Sequence, residues 1–207
     1  MKKTSIDQNK LKKLYFRAGW NWLNWRDNFE HLSDERLPAL NDPERFKRFV
    51  SDYSLLRNYD GAKREEIRNW LNGYKRLARA TEHVSGAGID RLASKLKRTG
   101  PCHTREISLV SKLAAFERPD VVFIAYDQFA ALGAKKLIEY LNREPNERKS
   151  YTDYKGYLAD VNTIVISSVG CQIRKYFSTH KPPTQHKKAF LLRMVDCYLM
   201  DLGGYET

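Results

Sequence analysis

Asp127 occupies the position in this sequence that is most favourable for chemistry. The apolar strip VVFIA at residues 121–125 precedes it, and Phe129, Leu132 and Leu137 return to helical spacing after it. An aspartate at the start of a helix is held by backbone N–H groups and stays ionised in the positive end of the helix dipole. We therefore predict a carboxylate fixed against the core, able to stabilise a developing cation or activate a water molecule. The alternative is an ordinary helix cap.

The chain carries a large excess of positive charge. Its 207 residues include 37 lysines and arginines against 25 aspartates and glutamates, which gives a net charge of +12. A protein this basic is attracted to polyanions, of which nucleic acid is the commonest. The alternatives are a basic protein without such a partner and a protein that binds an acidic protein.

The sequence does not favour a membrane, secreted or zinc-dependent protein. No window approaches the roughly 18 consecutive apolar residues of a spanning helix, and the N-terminal lysines are not followed by an apolar segment. Cys102, Cys171 and Cys197 are far apart and form no CxxC pair, and no histidine cluster accompanies them. We therefore expect neither a disulfide framework nor a zinc site, and a cytoplasmic protein without metal or other cofactor.

Proline and glycine punctuation separates stretches with helical periodicity, which predicts a mainly α protein. Alternation typical of strands is nearly absent, so a parallel-sheet nucleotide-binding fold is not expected. Asp42 and Pro43 indicate a helix start, and Thr104 is a candidate cap for a later helix. Residues 151–169 are ambiguous between helix and strand. The predicted helices cover residues 11–29, 43–53, 65–80, 89–98, 104–116 and 127–141. A final helix is predicted after Pro182-Pro183-Thr184, through Leu199, with its stop at Gly203-Gly204.

The length suits a single compact domain, with a possible division into two lobes at residues 1–84 and 85–207. Ser85 and the glycines of the following Gly86-Ala87-Gly88 interrupt the helical pattern near that division. A Gly-x-Gly segment that opens a helix can offer backbone N–H groups to a phosphate. The simpler interpretation is a flexible helix entry. Phosphate-loop, Rossmann, HExxH and GxSxG motifs are all missing from the sequence.

Residues 89–134 form the most informative region of the chain. They predict a helix, a tight turn at Thr99-Gly100-Pro101-Cys102, a second helix, a proline-led loop and an aspartate that opens a further helix. The centre of the region reads SLVSKLAAFERPDVVFIAYDQFAALGA. This region resembles the helix-hairpin-helix DNA glycosylase superfamily, particularly its 8-oxoguanine-glycosylase-like branch.

The resemblance implies a two-lobed helical bundle in which a helix-hairpin-helix-like element grips the DNA backbone. Residues 111–114 look like the lysine segment of the superfamily, residues 118–121 like its loop, and Asp127 like its catalytic aspartate. The implied activity is flipping of a damaged or modified base and hydrolysis of its N-glycosidic bond, which leaves an abasic site. A carboxylate beneath the sugar would stabilise the positive charge that develops there. A role in defence against phage with modified bases is also compatible with the resemblance.

Lys112 is the second catalytic residue that the resemblance implies. If its amine were desolvated near Asp127, it could form a Schiff base with the sugar, which permits strand cleavage after base removal. The alternatives are a solvated lysine and a phosphate contact.

Aromatic rings are candidates for contacting the flipped base or filling the gap that it leaves. Trp20, Trp22 and Trp25 cannot all share one face of a helix, so at least one is expected to be exposed or to line a pocket. Tyr151 and Tyr157 are further ring candidates. The predicted base pocket consists of Trp20, Trp22, Trp25, Tyr126, Phe129 and Tyr154.

Two basic stretches with turns beside them, residues 91–103 and 174–188, are the predicted sites of contact with the phosphate backbone. The alternative is that they are solvated loops. The residues chosen for these contacts are Arg91, Lys95, Lys97, Arg98, Gly100, His103, Arg105, Arg174, Lys175 and Lys187.

The expected partner is double-stranded DNA bound by a monomer. The main alternative is a non-enzymatic nucleic-acid-binding or regulatory protein that uses the same helices. A metal-dependent nuclease is a third possibility, for which Asp153 with Asp160, or Asp196 with Asp201, would have to supply clustered carboxylates.

Overall fold

A computed structural model describes residues 5–25, 39–52, 55, 59–73, 86–104, 106–117, 125–142, 151, 153–182 and 186–205. These residues form nine helices and no strand, which confirms the mainly α prediction. The helices are α1 (Gln8–Trp25), α2 (Pro43–Asp52), α3 (Gly61–Gly73), α4 (Gly86–Thr99), α5 (Ile107–Glu117), α6 (Gln128–Asn142), α7 (Tyr154–Ile166), α8 (Ser168–Thr179) and α9 (Lys187–Leu202).

Aspartates cap the starts of several of these helices, two of which, α1 and α3, begin at Gln8 and Gly61 and so before the predicted starts at residues 11 and 65. The Asp42 carboxylate accepts a hydrogen bond of 2.9 Å from the backbone N–H of Arg45, so the predicted start at Pro43 is confirmed. Asp7 and Asp60 accept equivalent bonds of 2.8 Å at the starts of α1 and α3. Such caps satisfy backbone donors that the first helical turn leaves without a partner.

The structure corrects two local predictions and resolves a third that the sequence left open. The helix α4 begins at Gly86, so the glycines lie inside it. A Cβ on Gly86 would lie 2.6 Å from the Cα of Lys155, so the glycine allows α4 to approach α7 closely. Thr104 does not cap α5, because its hydroxyl donates to the Glu106 carboxylate at 2.5 Å and the helix begins at Ile107. The ambiguous residues 151–169 belong mostly to α7 and the start of α8.

The helix α9 forms the centre of the bundle. It packs against α1, α6 and α8, and an unbroken run of its residues from Met194 to Met200 is buried. Its closest approach is to α6, where a Cβ on Gly133 would lie 1.9 Å from the carbonyl oxygen of Leu199. A Cβ on Gly203 would likewise lie 1.9 Å from the carbonyl oxygen of Phe129. These two glycines bring the backbone of α6, which begins directly after Asp127, against α9.

The predicted division into lobes stays a prediction, since residues 74–85 lie outside the described part of the chain. Residues 118–124, which include the predicted loop and most of the apolar strip, also lie outside it. Among the described helices, none combines the length and the apolar character needed to cross a membrane.

Candidate active site

Asp127 lies at the N-terminus of α6 and is half-buried. Its Oδ1 accepts a hydrogen bond of 2.8 Å from the backbone N–H of Phe129, and its carbonyl accepts one of 2.8 Å from Ala131. The predicted cap is therefore confirmed. Within the described part of the chain, no hydrogen bond reaches Oδ2 of Asp127. One carboxylate oxygen thus fixes the side chain, and the other is available for a ligand or water.

Two serines of α5 fix the residue that precedes Asp127. The Ser111 hydroxyl accepts a hydrogen bond of 2.8 Å from the backbone N–H of Tyr126 and donates one of 3.0 Å to the carbonyl of Ser108. The Ser108 hydroxyl donates a bond of 3.0 Å to the carbonyl of Tyr126. Because both backbone groups of Tyr126 are held by one helix, the entry of the chain into α6 is fixed relative to α5.

Lys112 follows Ser111 on α5 and is 7% exposed. A lysine is rarely buried unless an opposite charge accompanies it. Asp196 on α9 supplies a carboxylate close enough that the Lys112 ammonium lowers its pKa, whereas the Asp127 carboxylate raises it. The three charged side chains of Lys112, Asp127 and Asp196 therefore share one electrostatic environment.

Asp196 is a buried carboxylate with 3% of its surface exposed. Its Oδ2 forms an ion pair with Nη1 of Arg193 one turn earlier on α9, and its Oδ1 has no hydrogen-bond partner in the described structure. Burial is the largest influence on the pKa of Asp196 and raises it, and the opposing charges of Arg193 and Lys112 do not cancel that effect. Asp196 is thus a carboxyl group whose proton affinity is increased by its place in the core.

Tyr157 on α7 completes the arrangement. Its ring packs edge-on against Tyr126 with centroids 5.2 Å apart, and its buried hydroxyl has no hydrogen-bond partner in the described structure. Burial, followed by the charge of Asp196, raises the pKa of Tyr157, so the group is a neutral phenol at physiological pH. We call Lys112, Asp127, Tyr157, Arg193 and Asp196 the polar cluster.

The polar cluster joins helices α5, α6, α7 and α9 and combines two carboxylates, two cations and a neutral hydroxyl. Asp127 and Arg193 are its partly exposed members, whereas Lys112, Tyr157 and Asp196 are buried in the core. A fixed carboxylate in front of buried charges can stabilise a cation or accept a proton from water. It can do so with little reorganisation, because a hydrogen bond from α6 fixes the carboxylate and hydrogen bonds from α5 fix the backbone of the preceding Tyr126.

The structure places the predicted base-pocket rings in three different environments. Tyr126 and Phe129 flank Asp127 and are half-buried. Tyr154 is fully buried in the core beside Tyr157, and Trp22 is buried against Phe190 with ring centroids 6.3 Å apart. Trp20 is 68% exposed on α1. The side chain of Trp25 lies outside the described part of the structure.

The residues predicted to contact phosphates lie mostly on the surface of α4 and of α8 and at the start of α9. Arg91, Lys97, Arg98, His103, Lys175 and Lys187 are exposed, and Lys95 is half-buried. Arg105 lies outside the described residues.

Two members of that group already make bonds within the protein. The backbone N–H of Gly100 donates to the carbonyl of Leu96 at 3.0 Å, so it closes the last turn of α4 and is not offered to a phosphate. The guanidinium of Arg174 donates to the carbonyl of Val165.

The carboxylates considered for a metal site have other partners. Asp153 caps α7 by accepting from Gly156 N–H at 2.6 Å, and Asp160 accepts from the Tyr151 hydroxyl at 2.6 Å. Asp201 pairs with Arg17 at 2.6 Å. Among the described residues, no three histidine, cysteine, aspartate or glutamate side chains are grouped so that they could hold a metal ion.

Sequence reasoning missed how Ser111, Tyr157, Arg193 and Asp196 combine around Asp127. One signal was present, because Asp196 interrupts the otherwise apolar run MVDCYLM of α9. A charged residue on a buried helix indicates a partner or a function. No comparable sequence signal indicated the hydrogen bonds of Ser108 and Ser111 to Tyr126, because a serine in a helix does not by itself imply a particular partner.

Comparisons with known protein families, with curated proteins and with solved structures find no significant match to this chain.

Proposed function

We propose that this chain is a DNA glycosylase that flips a damaged or modified base out of DNA and hydrolyses its N-glycosidic bond. The observation that carries the proposal is the half-buried Asp127 carboxylate, fixed through one oxygen at the start of α6 and backed by buried charges. The helix pair α4 and α5 and the helix start at Asp127 follow the chain order of the resemblance. The net charge of +12 supports a polyanionic partner.

In the proposed reaction, the bond between C1′ of the sugar and the base nitrogen breaks, and the electron pair leaves with the base. The positive charge that develops on the sugar is stabilised by the Asp127 carboxylate. A water oxygen bonds to C1′, and Asp127 accepts a proton from that water. The departing base takes up one proton, which balances the proton that the water loses to Asp127, so the products are a neutral free base and an abasic site.

Lys112 supports this reaction best as a cation. Opposite charges favour each other's ionised forms, and the Lys112 ammonium already acts on the carboxylate of Asp196. A protonated amine cannot attack a sugar. We therefore propose base release by water without strand cleavage, with Lys112 balancing the two carboxylates of the polar cluster.

The exposed side chains of Lys97, Arg98 and His103, near the end of α4, would contact the DNA backbone. Extruding a base costs a few kcal/mol, which phosphate contacts and ring contacts must offset. Tyr126 and Phe129 are the rings best placed to contact the extruded base, because they flank Asp127 in the chain and are half-buried.

A non-enzymatic nucleic-acid binder is the second candidate. The hydrogen bond from Phe129 N–H to Asp127 is also what an ordinary helix cap makes, so it does not by itself require catalysis. A binder would keep salt-dependent DNA affinity and would produce no abasic sites on any substrate.

The deciding experiment incubates the protein with genomic DNAs that differ only in base modification, including phage DNAs with modified bases. Mass spectrometry identifies released bases, and alkali treatment reveals abasic sites. We expect one class of modified base to be released, with equal rates in buffer and in EDTA. Binding without release on every DNA would favour the non-enzymatic candidate, and activity lost in EDTA would favour a metal-dependent nuclease.

A further inference from the structure

The outer face of α1 and the end of α8 present aromatic rings and lysines to solvent. Phe16 and Trp20 on α1 are 62% and 68% exposed, although Leu14, Ala18 and Trp22 of the same helix are buried. The packing of α1 on the bundle therefore does not explain the two exposed rings. We define the aromatic–lysine surface as Lys12, Lys13, Tyr15, Phe16, Trp20, Lys175, Tyr176, His180 and Lys181.

Four rings of this surface form a continuous row across α1 and the end of α8, and Trp20 lies one turn after Phe16 on α1. Tyr15 packs against Phe16 and His180 with centroid distances of 6.3 Å and 5.6 Å. His180 stacks on Tyr176 with centroids 4.0 Å apart and planes at 15°. The Tyr15 hydroxyl donates a bond of 2.6 Å to the carbonyl of Lys181, which ties α1 to the segment after α8. The row is therefore held in a fixed arrangement.

The charge of this surface has one sign. Neither α1 nor α8 contains an aspartate or glutamate. Asp201 of α9 pairs with Arg17 at 2.6 Å and lies 3.8 Å from Lys10, so this carboxylate offsets one of the positive charges of α1. Lys12, Lys13, Lys175 and Lys181 are exposed, and the Lys12 ammonium lies 5.9 Å from the centroid of the Phe16 ring. This combination complements a polymer that carries both negative charge and flat rings.

We propose that the aromatic–lysine surface binds single-stranded nucleic acid, with bases stacked on Phe16 and Trp20 and phosphates on the neighbouring lysines. Exposed aromatic rings that alternate with cations are the elements with which proteins bind single strands without sequence preference. The surface shares no residue with the polar cluster. Nucleic acid is the ligand in both this inference and the proposed function, but binding at this surface does not depend on catalysis.

The test measures the affinity of the full chain for labelled oligothymidine by fluorescence anisotropy. The double variant Phe16→Ala/Trp20→Ala is expected to bind about 30-fold more weakly, since each stacked base contributes at least about fivefold. The matched control is Tyr140→Ala/Ile166→Ala, which removes two large side chains that are 50% and 77% exposed on α6 and α7. The control is expected to bind like the parent.

A second variant tests the lysines independently of the rings. Lys12→Gln/Lys13→Gln is expected to lower the slope of log affinity against log salt by about 1.4, which corresponds to two phosphate contacts on a single strand. Lys47→Gln, an exposed lysine of α2, serves as the control. Because the lysine variant leaves the rings intact, it keeps the proposal testable if the ring variant does not fold.

Oligothymidine affinity of the ring variant within twofold of the parent would overturn the proposal. If the ring variant keeps its oligothymidine affinity but loses binding to anionic phospholipid vesicles, the surface binds a membrane and the proposal is wrong. If it keeps that affinity but loses self-association, the surface binds a second copy of the chain and the proposal is again wrong. Failure of the proposed function is distinguishable. If no DNA releases a base but the ring variant loses oligothymidine binding, the glycosylase proposal fails and this inference stands.

Discussion

The chain buries charged groups behind Asp127, whereas it leaves rings and lysines in water on α1 and α8. In the polar cluster, Lys112 and Asp196 lie in the core although burial raises the pKa of Asp196. On the aromatic–lysine surface, Phe16 and Trp20 remain exposed although burying them would stabilise the fold. Both regions lower the stability of the fold, the first by burying charged groups and the second by exposing apolar rings.

The comparison separates two tasks. A reacting group must be held in one position, and the hydrogen bonds of Ser108 and Ser111 to Tyr126 do that for Asp127. A surface that follows a flexible strand needs rings and charges on a stable helix but no buried network. Substitutions should therefore affect folding strongly around the polar cluster and weakly on the aromatic–lysine surface.

The largest effect on stability is expected at the crossing of α6 and α9. Gly133→Ala would place a Cβ 1.9 Å from the carbonyl oxygen of Leu199, so the two helices must separate. We expect a loss of about 3 kcal/mol in the free energy of unfolding, the upper end for overpacking. Urea unfolding measures it. Gly61→Ala is the control, because a Cβ there meets only Arg64 at 3.7 Å; equal losses in the two variants would refute the close crossing.

Ser111→Ala tests the bond that orients the chain before Asp127. Its removal leaves the backbone N–H of Tyr126 without its acceptor, at a cost of about 2 kcal/mol. Base release should also fall by more than the loss of folded protein explains, because Asp127 is less well fixed. Ser178→Ala removes an exposed hydroxyl bonded to the carbonyl of Lys175 and should change stability by less than about 0.5 kcal/mol. A Ser111→Ala variant as stable and active as the parent would contradict the role given to α5.

The raised pKa of Asp196 predicts a pH-dependent stability. A carboxyl whose pKa is higher in the folded than in the unfolded state binds more protons when folded, so its contribution to stability falls as pH rises above its ordinary pKa of 3.8. Asp196→Asn removes this dependence. The stability of the variant relative to the parent should therefore increase from about pH 4 towards neutrality, by about 1.4 kcal/mol for each unit by which the pKa is raised. Unfolding measured across this range provides the test, and a constant difference would show that the pKa of Asp196 is not raised.

The smallest effect on stability is expected on the aromatic–lysine surface. Phe16→Ala/Trp20→Ala should change the free energy of unfolding by no more than about 0.5 kcal/mol, because both side chains are mostly exposed. Urea unfolding of this variant beside Gly133→Ala makes the comparison direct. A loss as large as that of Gly133→Ala would mean that the rings belong to the core.

Local signals in the sequence were sufficient for several features of the fold. The Asp42-Pro43 start and the cap at Asp127 depend on neighbouring residues alone, and both were predictable. Trp22 is buried and Trp20 is exposed, as expected of tryptophans that cannot share one helix face.

The rest depends on contacts between residues distant in sequence. The sequence around Gly86 and Gly88 predicts an interruption of the helix. In the structure Lys155 approaches Gly86 closely, and this contact cannot be predicted from the neighbouring residues. The helical state of residues 154–166 depends on packing that overrides their mixed aromatic and β-branched composition. Asp196 is 69 residues from Asp127 in the chain, and only the packing of α6 on α9 brings their charges together.

The most direct test of the account compares Asp127→Asn with Asp42→Asn on the modified DNA from which the parent releases a base. Asparagine caps helices about as well as aspartate, so both variants should fold. We predict that Asp127→Asn lowers the rate of base release by about 100-fold or more while DNA affinity is kept, and that Asp42→Asn releases the base at the parental rate. Parental base release by Asp127→Asn would contradict the central role of this carboxylate.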